Sequence, residues 1–245
     1  VVDDGDHKLP IRWKAENGAV YRGEGLLTVN PDPRSLWKKI DPPADDPYFK
    51  GNTDGKLIEG PSFKIAAASR RGRSHEHVGT FRDDDFFVNH DVGSGWSVII
   101  VADGAGSAKS SRQGSRLAVM AAGEHLVVNL NADTGATLSQ ALVAGESDRA
   151  AASKVVGEKF HYLFHKAASL AVQAIETEAT AQGAAVKDYS TTLLAAAVKR
   201  TNSDTFVASF WMGDGAIATY GQEGGVVKLM GTPDGGEFAG QTRFL

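Results

Sequence analysis

Val98-Ile-Ile-Val-Ala-Asp103-Gly-Ala-Gly-Ser-Ala-Lys-Ser-Ser-Arg112 decides how this chain is read. A short apolar run, suited to a buried strand, ends in an aspartate and a glycine-rich turn. A helical pattern follows from about Ser110, with Leu117, Met120, Ala121, Leu126 and Val127 recurring three and four residues apart. Strand, acidic turn and helix present a carboxylate and backbone groups at the end of a sheet. Two chemistries use such a place, phosphate cradling and divalent-metal binding. A phosphate loop needs G-x-x-x-x-G-K-[ST]. Here Ala108 precedes Lys109-Ser110, and Asp103 stands where the first glycine belongs and would repel the anion. G-x-G-x-x-G fails too, because Gly104 and Gly106 are followed by Lys109. A hard cation such as Mg²⁺ or Mn²⁺ takes carboxylate and carbonyl oxygens. Asp103 offers the first, and Gly104 lets its own carbonyl approach.

One aspartate makes no site. A second acidic element is available in Arg82-Asp83-Asp84-Asp85-Phe86-Phe87-Val88, three carboxylates leading into another apolar run. It reads either as the rest of a metal site or as a solvated strand edge. Around it, Phe63 to Ser69, Phe86 to Asn89 and Ser97 to Ala102 read as strands. Residues 147 to 182 form the clearest helix, on an apolar stripe of Val156, Phe160, Leu163, Phe164, Ala167, Leu170, Ala171 and Ala174, with Gly183 at its C-terminal cap. Tyr189 to Val198, Thr205 to Trp211, Ala216 to Tyr220 and Val226 to Met230 read as further strands. Strands, two long helices and more strands suit an α/β fold with two central antiparallel sheets and helices outside.

Several motifs together resemble the protein phosphatase 2C family of metal-dependent serine/threonine phosphatases, in its bacterial branch. Val-Ile-Ile-Val-Ala-Asp103-Gly-Ala-Gly-Ser resembles its V-A-D-G signature. Gly72-Arg-Ser-His75-Glu-His-Val-Gly79-Thr-Phe-Arg-Asp83-Asp84 resembles its G-x-x-H-x-x-x-G-x-x-x-Q-D segment. Asp188-Tyr-Ser-Thr-Thr192-Leu-Leu resembles the central S-T-T strand, Trp211-Met-Gly-Asp214-Gly the G-D-[SG] turn, and the segment from Gly236 to Leu245 the late G-E-F-x-N-Q-T-x-F-L. The match covers roughly residues 60 to 245. It implies a four-layer α-β-β-α sandwich and hydrolysis of phosphoserine and phosphothreonine monoesters on proteins, by water activated between two Mn²⁺ or Mg²⁺ ions. Implied partners are a phosphorylated protein substrate and a cognate Ser/Thr kinase that the enzyme opposes in signalling.

By the same resemblance Asp84 and Asp103 are the catalytic metal ligands, and the Gly104 carbonyl completes one ion's shell. Asp83, His75 and Arg73 are candidates for roles behind the ligands or on the phosphate. Asp214 is more often structural in this family and is not taken as a ligand. Three departures stand out. Gly79 occupies the place of a phosphate-binding arginine, and Ala105 that of a histidine assigned as general acid in eukaryotic relatives. The two further metal aspartates are expected beyond Leu245, so the domain reads as lacking its C-terminal ligand segment. Asp234-Gly235 is no convincing substitute. The alternative reading is a pseudophosphatase or phosphoprotein-binding regulatory module.

Composition sets outer limits. The 245 residues are 42% hydrophobic and contain no cysteine, which excludes disulfides, thiol catalysis and Cys-type zinc sites. No apolar run approaches about 18 residues, and a net charge of −4 gives no electrostatic reason to expect nucleic acid. The expectation is a cytoplasmic domain that contacts neither nucleic acid nor membrane. Residues 1–57 read as a separate extension ahead of a 58–245 phosphatase-like domain. They carry Pro31-Asp-Pro33, Pro42-Pro43, Trp13, Trp37 and Tyr48 with poor hydrophobic periodicity. They are either an irregular extension that buries its aromatics or a partner-docking arm that displays them.

Overall fold

The computed structural model describes residues 3–32, 35–61, 63–145, 147–202, 204–221, 224–231, 233 and 242–245. In chain order the elements are β1 (Gly5–Lys14), β2 (Val20–Val29), β3 (Thr53–Gly60), β4 (Phe63–Arg70), α1 (Arg73–Val78), β5 (Asp85–His90), β6 (Trp96–Ala102), α2 (Ser111–Leu130), α3 (Asp133–Ala144) and α4 (Arg149–Ala181). A 3₁₀ turn (Val186–Tyr189) leads to β7 (Leu193–Arg200), β8 (Thr205–Met212), β9 (Ala218–Gly221) and β10 (Val226–Leu229). The result is the expected mixed α/β sandwich of antiparallel sheets and helices, about a third helix and a third strand. No helix among the described residues is long and apolar enough to cross a membrane. The chain forms two compact units, Val1–Pro43 with Gly72–Thr80, and Ala44–Arg71 with Phe81–Leu245.

The larger unit is organised by the sheet β5-β6-β7-β8. Phe87, Ile100, Ala195 and Phe210 line up across its four strands and meet the helices on one face, with Val98, Ala102, Leu193 and Ala197 beside them. Alternation by two puts Val88, Ile99 and Ala196 on the other face. From the helix side α4 contributes Phe160, Leu163, Phe164, Ala167, Ala171, Ile175 and Ala179, all buried at the 3.6-residue spacing. Each such large apolar side chain adds about 1.5–3 kcal/mol on burial. The β3–β4 hairpin belongs to the same unit.

Three expectations are corrected. On α2 the buried positions are Ser111, Gly114, Ser115, Ala118, Val119, Ala122, Gly123, Leu126 and Leu130, while Met120 is exposed. Small residues face the sheet because α2 comes close. A Cβ on Gly123 would lie 2.4 Å from the Phe87 ring, and one on Gly114 only 1.8 Å from the Tyr189 carbonyl oxygen. The strand expected from Tyr189 begins instead at Leu193, because Ser190 to Thr192 bond to the turn after β6. A third helix, α3, lies between the two expected ones.

The smaller unit holds regular structure that the sequence conceals. β1 and β2, ten residues each, form an antiparallel hairpin in which Leu9 faces Gly25, Ile11 faces Gly23 and Trp13 faces Tyr21. Partner side chains cover the glycines, with Ile11 Cδ1 at 3.0 Å from where a Gly25 Cβ would stand. Trp13 stacks on Tyr21 at 5.5 Å. Trp13 and Trp37 are 50% and 42% exposed. Within this unit the Ile40 amide donates to the Glu76 carbonyl of α1 at 2.9 Å, and the Lys38 amide to His77 Nδ1 at 3.1 Å.

Candidate metal centre

β6 is a run of β-branched residues whose end is clamped by the start of β7. The Asp103 amide donates to Thr192 Oγ1 at 2.8 Å. Its carbonyl accepts from the Thr192 amide at 2.8 Å and from Thr191 Oγ1 at 3.0 Å. The Ala105 amide donates to the Ser190 carbonyl at 2.9 Å. The Ser-Thr-Thr motif thus fixes the backbone of the acidic turn, two hydroxyls substituting for regular ladder bonds. Gly104 faces Thr191 in an isolated bridge. A Cβ there would stand 2.8 Å from the Ser111 carbonyl oxygen and 2.9 Å from that of Asp83. Only a residue without a side chain lets the turn, the start of α2 and the acidic segment converge.

The sheet register delivers the second carboxylate. Asp85 of β5 lies opposite Ala102 of β6, so Asp84 and Asp103 follow on the same edge of the sheet. Asp84 is the neighbour that acts most strongly on the Asp103 carboxyl. The Asp103 carboxyl is pushed up to about 7, first by partial burial, then by the hydrogen bond with Asp84 and the charges of Asp84, Asp214 and Asp83. Three neighbouring carboxylates therefore act on Asp103, which is solvent-accessible at the sheet end.

Buried cations lie behind the acidic run. Lys50 Nζ pairs with the Asp85 carboxylate at 2.9 Å, both side chains largely buried. Arg82, also buried, donates from Nη1 to the Asp84 carbonyl at 2.6 Å and reaches the Asp54 carboxylate at 3.5 Å. Ser115 Oγ donates to the Asp83 carbonyl. Burial lowers the Lys50 ammonium from its ordinary value, while the Asp85 charge opposes that. The run is therefore more than a solvated strand edge: Asp85 is tied inward and Asp84 is aimed at Asp103.

The donor chemistry fits a hard divalent cation. A carboxyl whose charge is opposed by neighbouring carboxylates is one whose proton a cation replaces with gain. Asp84 and Asp103 would hold the ion, with Gly104 adjacent. Among the described residues no three His, Asp or Glu side chains form a complete ligand set, so solvent or further oxygens would fill the remaining positions.

The other candidates are spread differently. Asp83 lies at the centre, where its charge acts on Asp103. Arg73 and His75 are on α1, in the smaller unit, where His75 Nδ1 is hydrogen-bonded with Thr80 Oγ1 at 2.9 Å. Asp214, left out of the ligand set on sequence, is an exposed residue after β8 whose charge reaches Asp103. Asp234, Gly235 and the segment from Gly236 to Gln241 lie outside the described residues. The inner supports Lys50 and Ser115 carried no sequence signal of their own, and only their later contacts single them out. Arg82, which the sequence offers as a phosphate-binding arginine, is instead buried against the Asp84 carbonyl.

A family model described as protein phosphatase 2C matches residues 71–245. A comparison with curated proteins gives no match.

Proposed function

The chain belongs to the protein phosphatase 2C family, and from that membership we propose that it hydrolyses phosphoserine and phosphothreonine monoesters on proteins, opposing a cytoplasmic Ser/Thr kinase. The family is one of metal-dependent phosphatases. The observation that carries the finer reading is the Asp84–Asp103 carboxyl pair at the sheet end, inside the matched segment.

Mn²⁺ or Mg²⁺ ions, when bound, supply an activated water as nucleophile and positive charge for the phosphate. This chain's residues supply the place and its electrostatics. Asp84 and Asp103 would hold the cation, and Asp103, whose carboxyl is pushed up to about 7, would do so in its deprotonated form. Asp83 and Asp214 add negative charge beside the pair. A phosphate dianion is repelled from such a cluster until that charge is neutralised, which makes activity contingent on the cation. The Thr191 and Thr192 hydroxyls keep the Asp103 backbone in place throughout. With no cysteine in the chain, a cysteinyl-phosphate route is closed.

The test is release of phosphate from a phosphothreonine peptide with Mn²⁺, with EDTA, and with an Asp103→Asn variant. Turnover that needs both Mn²⁺ and Asp103 is expected. Binding of the phosphopeptide without turnover would sink the enzyme reading and favour a regulatory phosphoprotein-binding module.

A further inference from the structure

Lys50 stands outside the stretch that the family model matches, yet it supports the acidic segment from within. It is 7% exposed. Its ammonium donates to the Asp85 carboxylate at 2.9 Å, to Ser115 Oγ at 3.1 Å and to the Asp84 carbonyl at 3.3 Å. All three ammonium hydrogens thus have an acceptor. Ser115 Oγ passes the contact on to the Asp83 carbonyl. A salt bridge with Asp85 alone would satisfy the charge. The other two contacts reach the backbone of the two residues that lead into the metal centre.

The segment that carries Lys50 is itself tied down on the helices. Arg112 of α2 grips both Asp46 carboxylate oxygens at 2.7 Å and donates from Nε to the Tyr48 carbonyl at 3.1 Å. The Tyr48 hydroxyl donates to Glu178 of α4 at 2.6 Å. Burial raises the Asp46 carboxyl, but its bonds with Arg112 and the Tyr48 amide hold it below its ordinary value. Lys50 is therefore delivered by a strap anchored two and four residues earlier.

We propose that Lys50 is a positioning residue for the metal centre: it fixes the backbone of Asp83 and Asp84 so that the Asp84 carboxylate is held against Asp103. This rests on the reading that Asp84 and Asp103 bind a divalent cation. The consequence is that residues 44–52 are part of the working centre.

The test is Mn²⁺ binding by titration calorimetry, with thermal unfolding in parallel, on the full chain and on K50M, D85N, K50M/D85N and S115A. K50M leaves the buried Asp85 with only the Arg82 guanidinium at 4.0 Å and lowers Tm. In K50M/D85N that charge is gone and Tm recovers. The Mn²⁺ Kd is expected to weaken about tenfold or more in K50M and to stay weakened in K50M/D85N, as when the partners of metal ligands are removed elsewhere. D85N alone is expected to bind Mn²⁺ within about threefold of wild type. Recovery of Kd together with Tm in the double variant would make Lys50 a stabilising residue only and overturn the proposal. Should the Lys50 variants not fold, S115A decides: a weakened Kd at unchanged Tm supports the relay, and an unchanged Kd overturns it. A wild-type chain that binds no Mn²⁺ overturns it too. Mn²⁺ binding without phosphopeptide hydrolysis would instead remove the phosphatase reading and leave Lys50 standing.

Discussion

Replacing Asp103 with asparagine should make the cation-free protein more stable, although the same change removes its chemistry. Asp103 has an ordinary carboxyl value of 3.8 when unfolded and about 7 when folded. The folded state therefore prefers the protonated form. Stability is fully present below about 4, falls as pH rises through the interval, and reaches its lower level above about 7. At face value such a displacement corresponds to about 4 kcal/mol. Asp103 is solvent-accessible, so screening reduces the cost to about 1–2 kcal/mol. Asparagine keeps a hydrogen-bonding group towards Asp84 and removes the charge that Asp84, Asp83 and Asp214 oppose. In a unit of this size, D103N should raise Tm at pH 8 by roughly 2–8 °C over wild type in EDTA. At pH 4.5 the two should differ little. Mn²⁺ should then reverse the order at pH 8, stabilising wild type and leaving D103N unmoved. Thermal unfolding with and without EDTA at both pH values measures all four quantities. A D103N protein that is less stable than wild type at pH 8 without metal would refute the carboxyl-repulsion account of this site. So would a difference in Tm that does not change with pH.

Cation affinity should fall with pH for the same reason. Because the ion competes with the proton on Asp103, calorimetry should show the apparent Mn²⁺ Kd rising up to about tenfold per pH unit below 7 and levelling off above it. Gly104→Ala places a Cβ 2.8 Å from the Ser111 carbonyl and 2.9 Å from that of Asp83; urea unfolding should show a loss of about 1–3 kcal/mol. Thr192→Val removes the acceptor of the Asp103 amide and should cost about 1–3 kcal/mol, together with a weaker Mn²⁺ Kd. Arg112→Ala breaks the bidentate grip on Asp46; limited proteolysis should then cut within residues 44–52 sooner than in wild type.

What could be read from the sequence followed physical contrast along the chain. β6 was legible because a β-branched run ends abruptly at Asp103-Gly104, and α4 because its large apolar residues recur at helical spacing against a polar face. α2 was legible as a helix but only in part in its orientation. Of the expected residues Leu126 is buried and Leu117 and Val127 pack against the core, but the face turned to the sheet also includes the small residues Ser115, Ala118, Ala122 and Gly123, and Met120 lies outside it. The β1–β2 hairpin was hidden for a related reason. Leu9, Ile11 and Trp13 alternate properly, but Pro10 sits among them and two of their partners are glycines, covered by side chains from across the hairpin. At the centre, the resemblance pointed to Asp84 and Asp103 without saying why they meet. The register of Asp85 on Ala102 supplies that reason. The Ser-Thr-Thr motif likewise acquires a physical role only through Thr191 and Thr192 on the Asp103 backbone. Lys50 is the limiting case. A buried ammonium owes its position to acceptors supplied by Asp84, Asp85 and Ser115, residues far along the chain. No local pattern around Phe49-Lys50-Gly51 distinguishes it from a solvated lysine. The carboxylates of this centre announce themselves in sequence; the cations that hold them in place do not.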